Sequence, residues 1–324
     1  MASTTTDAAI PRARSGDSPS PPRGKRNRGA NDRNDRSAYV FLTPWMIGAA
    51  VLTLGPMLFS LYMSFTDYNL LDAPRWIGLD NYQRILFDDP EVRDTVGVTL
   101  LYVVVATPLK LIAALGVALL LHTRRKGRNF YRAAFYMPSL IGASVGAAIV
   151  WRLLFSTGSV VDQFLGVFGI HTGGWISNPD WSLMSLVALS VWQFGAPMVI
   201  FLAALQQIPR DLYEAAEIDG AGPWRRFVSV TVPMLSPVIF FNLVLEMVHA
   251  FQMFNSAFVL SNGTGGPAGS THVYSMYLFE LGFNDFRMGY AAALTWVLLL
   301  VVGVITALLF KTSGRWVHYA GEEK

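Results

Sequence analysis

Glu214 to Pro237 reads EAAEIDGAGPWRRFVSVTVPMLSP, the one long polar interruption in the second half of an otherwise apolar chain. Glu214, Ala215, Ala216, Glu217 and Ile218 are mostly good helix formers. Asp219-Gly220 supplies a break, because glycine takes a positive φ without a Cβ clash and can close a helix C-terminus. Pro223 suits the first turn of a second helix, where its missing N–H is no loss. Trp224 and Phe227, three apart, share one side of that helix. The stretch therefore predicts a short helix, a glycine elbow and another short helix, set in a connecting segment over residues 206–237.

The surroundings of this elbow are membrane-like. The chain has 324 residues, 52% of them hydrophobic and 15% charged, with mean hydropathy +0.38, which is the composition of an integral membrane protein. It contains no cysteine, so disulfides, thiolate nucleophiles and Cys-based metal sites are excluded. Its five histidines, His122, His171, His249, His272 and His318, lack the H-x-x-x-H spacing of a zinc enzyme. The phosphate-cradling pattern G-x-x-x-x-G-K-[ST] is also missing, so ATP and Mg²⁺ have no evident site on this chain.

Six apolar runs have roughly the ~20 residues needed to cross a bilayer: Tyr39–Phe65, Thr95–Leu121, Ala133–Phe155, Ser182–Ile208, Met234–Leu260 and Met288–Phe310. The expected fold class is all-α, a polytopic membrane domain over residues 38–311. It is preceded by a polar tail, 1–37, too poor in apolar residues to order itself, and followed by a short tail, 312–324. Pro44, Pro56, Pro108, Pro138, Pro197 and Pro237 predict kinks inside or at the ends of these helices.

Positive charge sets the expected orientation. Eight Lys and Arg residues lie in the first tail, five between the second and third runs (Arg124, Arg125, Lys126, Arg128 and Arg132), and three in the elbow segment (Arg210, Arg225 and Arg226). Three more close the chain, whereas the opposite loops hold only Arg75, Arg84, Arg93 and Arg287. The positive-inside rule places both termini and the elbow in the cytoplasm of a multi-pass protein of the cell membrane. The basic tail suits anionic lipid better than nucleic acid, which is not an expected partner.

Polar side chains inside apolar runs point to function. On a helical wheel Asn242, Glu246, His249, Gln252 and Ser256 share one sector of the fifth run, with Asn255 outside its edge. With Trp192 and Gln193 of the fourth run they form the expected substrate pathway, Thr295 and Trp296 adding to it from the sixth. Aromatic faces beside amides suit a carbohydrate. Lys110 stands about twelve residues, or ~18 Å of helical rise, from the end of its run, too deep to snorkel, and Glu246 lies at matching depth. The two are expected to form a buried ion pair. Arg152, near a helix end, is expected to snorkel without further role, and Gly142-x-x-x-Gly146 to be a packing face within one helix.

The elbow closely resembles the EAA loop of the membrane subunits of binding-protein-dependent ABC importers, with Glu214, Ala215, Ala216, Asp219, Gly220, Ala221 and the downstream Pro233 at the matching positions. SNGTGGPAGST, from Ser261, resembles the Gly-Gly-Pro loop of the family's sugar-importing branch, its glycines permitting a tight, adaptable turn, and Gly78-Leu79-Asp80-Asn81-Tyr82 resembles a G-L-x-N-Y pattern common in the same branch. The region Tyr39–Phe310 is similar to the first permease subunit of maltose-type importers. Where many relatives carry Asn-Thr near the start of the second helix, this chain has Val98-Thr99, and no role is transferred there. The resemblance implies a transporter subunit and not an enzyme, with those seven elbow residues forming the ATPase-coupling site. It also implies the partners: a second homologous permease, two cytoplasmic ATPase subunits that hold ATP and Mg²⁺, an extracytoplasmic solute-binding protein and a sugar substrate. Three alternatives stay open: a gradient-driven transporter relaying protons through Lys110, Glu246 and His249; a membrane-embedded enzyme using Glu246 and His249; and an importer of a sugar phosphate or other polar solute.

Overall fold

The structure is a computed structural model that describes residues 41–123, 127–142, 144–169 and 173–318. The tail 1–37, Arg124, Arg125, Lys126, His171 and the last residues, from 319, lie outside the described residues. The chain divides into two compact units at Met57. In the first, the described residues are helical throughout and carry mostly exposed apolar side chains.

The helix that begins there, α1 (Phe41–Ser64), is one of five long and apolar enough to cross a membrane. After it come a two-stranded antiparallel ribbon, β1 (Thr66–Asp67) and β2 (Arg75–Trp76), and the single turn α2 (Asp80–Gln83). Asn81 of the G-L-x-N-Y pattern is structural: its Nδ2 donates to the carbonyls of Ser64 and Thr66, each at 3.0 Å.

The long helix α3 (Pro90–His122) starts five residues earlier than expected. Asp89 explains this, because its carboxylate accepts from the N–H groups of Glu91 and Val92, with Pro90 behind it. Ala114 and Ala118, one turn apart and fully buried, let α8 pack closely on α3 through Met198, Phe201 and Leu202.

The third apolar run, expected as one helix over Ala133–Phe155, is two: α4 (Arg128–Ile141) and α5 (Val145–Phe155). Ser144 accepts from Ala147 N and starts the second helix afresh. Gly142 and Gly146 therefore flank a break and do not form one packing face. A Cβ on Gly142 would lie 2.3 Å from Gln193 Cγ. Beyond α5 comes α6 (Val160–Val167).

The fourth run, Ser182–Ile208, is also broken, into α7 (Pro179–Trp192) and α8 (Gly195–Leu205), bent by 42°. Pro197 has no N–H for the carbonyl of Gln193 four residues back. Ser139 Oγ of α4 donates to that carbonyl instead (2.9 Å) and accepts from Ala196 N (3.1 Å).

Next come α9 (Arg210–Ile218) and α10 (Pro223–Phe251), the latter continuous through Pro233 and Pro237. The fifth run was expected to extend unbroken from Met234 to Leu260. It stops at Phe251, turns through residues 252–254, and resumes as α11 (Asn255–Leu260). The chain ends its described part with α12 (Tyr274–Phe279) and the long apolar α13 (Met288–Ser313). Among the described residues α1, α3, α5 taken with α6 (Val145–Val167), α10 and α13 are the five candidates, and the bent pair α7–α8 makes up to six membrane spans; the third candidate begins at Val145, where the sequence placed it at Ala133.

Candidate functional site

The break after Phe251 builds the central site. A cavity of about 210 Å³ is lined by Lys110 and Thr107 of α3, Ser190 and Gln193 at the α7–α8 bend, Glu246 and His249 of α10, and Gln252, Asn255 and Ser256 at the turn into α11. The wheel placed the last three on one straight helix. They reach the cavity because the chain turns there, which also brings in Asn255, outside the sector on the wheel. Trp192 does not line the cavity; its ring stacks obliquely against Trp151, centroids 5.7 Å apart. Neither Thr295 nor Trp296 lines it either, and Thr295 Oγ1 donates to Ala291 O (2.9 Å). Asn242 is buried below, donating from Nδ2 to Val238 O (3.0 Å).

In the cavity wall Lys110 Nζ donates to Glu246 Oε2 at 2.7 Å, with side chains only 13% and 11% exposed. Each charge therefore has its counter-charge within hydrogen-bond reach, which is the condition under which a buried ion survives. Gln193 has two roles at once, facing the cavity and donating from Nε2 to Gly142 O (3.1 Å), so that the α4–α5 break and the α7–α8 bend share a joint.

The elbow forms a second site. Helix α9 closes with Gly220 at φ +77° and Ala221 N donating to Ala216 O (2.9 Å), the six-to-one bond of a Schellman cap. This accounts for the spacing between Ala216 and Asp219-Gly220-Ala221. Tyr213 OH and Thr231 Oγ1 (2.9 Å) join α9 to α10, and Arg226 pairs with Glu217 at 3.0 Å. Glu214, Ala215, Asp219 and Gly220 are exposed, Ala216, Ala221 and Pro233 partly so. Ile218 (88%) and Trp224 (75%) present large apolar surfaces beside them, with the rings of Trp224 and Phe227 5.5 Å apart.

At the other end of α3 lies a network that the sequence reading missed. Asp89 Oδ2 accepts from both Tyr277 OH and Tyr290 OH at 2.7 Å, tying α3 to α12 and α13. Arg84 and Arg287 each lie over the ring of Tyr290 at 5.0 Å. Burial pushes the Asp89 carboxyl up, but the bonds from Tyr290, Tyr277 and Val92 N, together with the charge of Arg84, hold it below its ordinary value of 3.8. Burial and the bond to Asp89 push the Tyr277 phenol up. Asp-Pro ahead of an apolar run was the available signal, since it is a helix start.

The Gly-Gly-Pro loop is closed on itself. Thr271 Oγ1 and N both donate to Gly265 O (2.7 and 2.9 Å), and a Cβ on Gly266, at φ +77°, would lie 2.3 Å from Thr271 Oγ1. The turn is thus fastened by its own hydrogen bonds, where an adaptable one was expected. His272 at its end lies between two carboxylates, Nδ1 3.0 Å from Glu91 and Nε2 3.5 Å from Glu280. Arg152, expected to have no role beyond snorkelling, donates to Asn262 Oδ1 of the same loop.

Helices apolar and long enough to span a membrane, a polar cavity and an exposed elbow define a membrane transport permease. Residues 90–318 match the model of the family described as binding-protein-dependent transport system inner membrane component. The chain belongs to that family; it is a transport subunit and not an enzyme. It is 46% identical to the probable ABC transporter permease protein YesP of Bacillus subtilis, over 90% of this chain and 95% of that one. It is 32% identical to the lactose transport system permease protein LacF of Rhizobium radiobacter, over 85% and 93%. Its fold matches a chain in the crystal structure of a bacterial ABC transporter involved in import of the acidic polysaccharide alginate, with TM-score 0.75 and 23% identity over 89% of this chain and 98% of that one.

Proposed function

We propose that this chain forms half of the solute pathway of an ATP-driven carbohydrate importer, beside a second homologous permease. A solute-binding protein delivers sugar from outside. Two ATPase subunits, which hold ATP and Mg²⁺, move the elbow from the cytoplasm, where both termini also lie. The observation that carries this reading is the pairing of the two sites on one helix. Helix α10 begins at the elbow with Pro223 and ends beside the cavity with Glu246 and His249. A displacement of the elbow is thus transmitted along one continuous helix to the cavity wall. Carbohydrate is supported by the lining, which offers amides, hydroxyls and an imidazole while the charges of Lys110 and Glu246 offset each other, and by the lactose permease among its relatives.

Glu214, Ala215, Ala216, Asp219, Gly220, Ala221 and Pro233 form the coupling site in this scheme, with Ile218 and Trp224 as its apolar contacts. The absence of cysteine makes a direct test simple. Ile218→Cys introduces a unique thiol on this chain, and a short maleimide–diazirine photo-cross-linker attached to it, which inserts into any neighbouring side chain, is expected to link it to an ATPase subunit in membranes. A cross-link only to chains other than the ATPase, or none, would count against the assignment, as would uptake that persists in vesicles depleted of ATP.

A further inference from the structure

Thr107 was not singled out by its sequence context, yet it is the residue of the cavity with the least ordinary environment. It is buried at 4% exposure, lines the cavity, and its Oγ1 has no hydrogen-bond partner; among the described residues Trp175 Nε1 is the only other such buried side-chain atom. Threonine in a helix normally satisfies its hydroxyl on the carbonyl four residues back. Four other helical threonines do so here: Thr95 to Glu91 O (2.8 Å), Thr99 to Thr95 O (2.7 Å), Thr295 to Ala291 O (2.9 Å) and Thr312 to Leu308 O (3.0 Å). Thr107 alone of these five makes no such bond, although Pro108 leaves the carbonyl of Val104 without its usual N–H. A buried hydroxyl without a partner carries a desolvation cost. One turn further on, Lys110 faces the same cavity, and its contact with Glu246 uses one of three ammonium donors.

We propose that Thr107 is a solute-contacting residue whose hydroxyl is held for a hydroxyl group of the passing sugar, with Lys110 as the adjacent donor. The inference rests on the carbohydrate reading and adds to it a contact on α3, opposite the α10–α11 turn. Because the hydroxyl has no partner inside the protein, its removal has opposite effects on stability and on transport. Thr107→Val keeps the shape and deletes the group. In the complete importer, reconstituted with its partner permease, ATPases and binding protein, Thr107→Val is expected not to lower the unfolding temperature. It is expected to reduce sugar moved per ATP hydrolysed about three- to tenfold, the weight of one net hydrogen bond. Thr107→Ser, which restores the hydroxyl, is expected to restore transport. The probes are radiolabelled lactose, maltotriose and arabinotriose.

Wild-type transport by Thr107→Val, or a Thr107→Ser variant no better than it, overturns the proposal. A lowered unfolding temperature in Thr107→Val also overturns it, since the hydroxyl would then have a structural partner. If the unaltered importer moves none of the three sugars, the carbohydrate reading itself fails and the inference falls with it. That result is distinct from transport that Thr107→Val leaves intact.

Discussion

Lys110 and Glu246 are 136 positions apart in the chain and 2.7 Å apart in space, one on α3 and one on α10. Removing one partner strands a buried charge, whereas removing both strands none. Lys110→Met and Glu246→Met are each expected to destabilise the protein by about 3–5 kcal/mol. The double substitution should recover most of that loss, read as the unfolding temperature of the solubilised complex. Equal losses in the single and double variants would show that the two charges do not depend on each other.

Asp89 joins three helices through its two oxygens. Asp89→Asn keeps a cap acceptor but loses the charge on which two phenols converge, and should cost about 1–3 kcal/mol. The pH dependence has a definite sign. Because the native carboxyl titrates below its ordinary 3.8, its contribution is complete above that value and is lost as the pH falls through the lower native one. The stability gap between the wild-type chain and Asp89→Asn should therefore be constant from neutral pH down to about 4 and shrink only below it.

Gly220 sits at φ +77° with open space around it. The expected cost of Gly220→Ala is thus backbone strain alone, about 1 kcal/mol, with no steric clash added. The consequence should appear at the elbow: global unfolding barely shifts, while ATP hydrolysis by the assembled importer proceeds with less solute moved per turnover. Gly220→Asn, which tolerates the left-handed region better, should recover part of the coupling.

Ser139 spans the α7–α8 bend with two bonds, one to the carbonyl that Pro197 leaves free. Ser139→Ala should cost about 1–3 kcal/mol by orphaning that carbonyl and Ala196 N. If instead the bend is a property of α7 and α8 alone, the variant will match the wild-type chain in thermal unfolding.

Gly142 shows the same joint from the steric side. A methyl at this position meets Gln193 Cγ at 2.3 Å and Pro138 O at 2.6 Å. Gly142→Ala should therefore push Gln193 out of place and destabilise by about 1–3 kcal/mol or more. A tolerated alanine, read in the same unfolding assay, would mean that Gln193 can leave the joint at little cost.

By itself the sequence determined the helical membrane class, the elbow with its glycine stop and the matching level of Lys110 and Glu246 on their helices. Each of these follows from local quantities: run length, charge count, turn residues and rise per residue. Tertiary structure decided where the spans break. The carbonyl left free by Pro197 is taken by a serine 54 positions earlier, and the end of α10 at Phe251 is what brings Gln252, Asn255 and Ser256 onto one cavity. The rotation that brings Lys110 onto Glu246, and the environment that leaves the Thr107 hydroxyl alone, depend on packing between helices distant in sequence. A helical wheel of one segment carries no information about that packing.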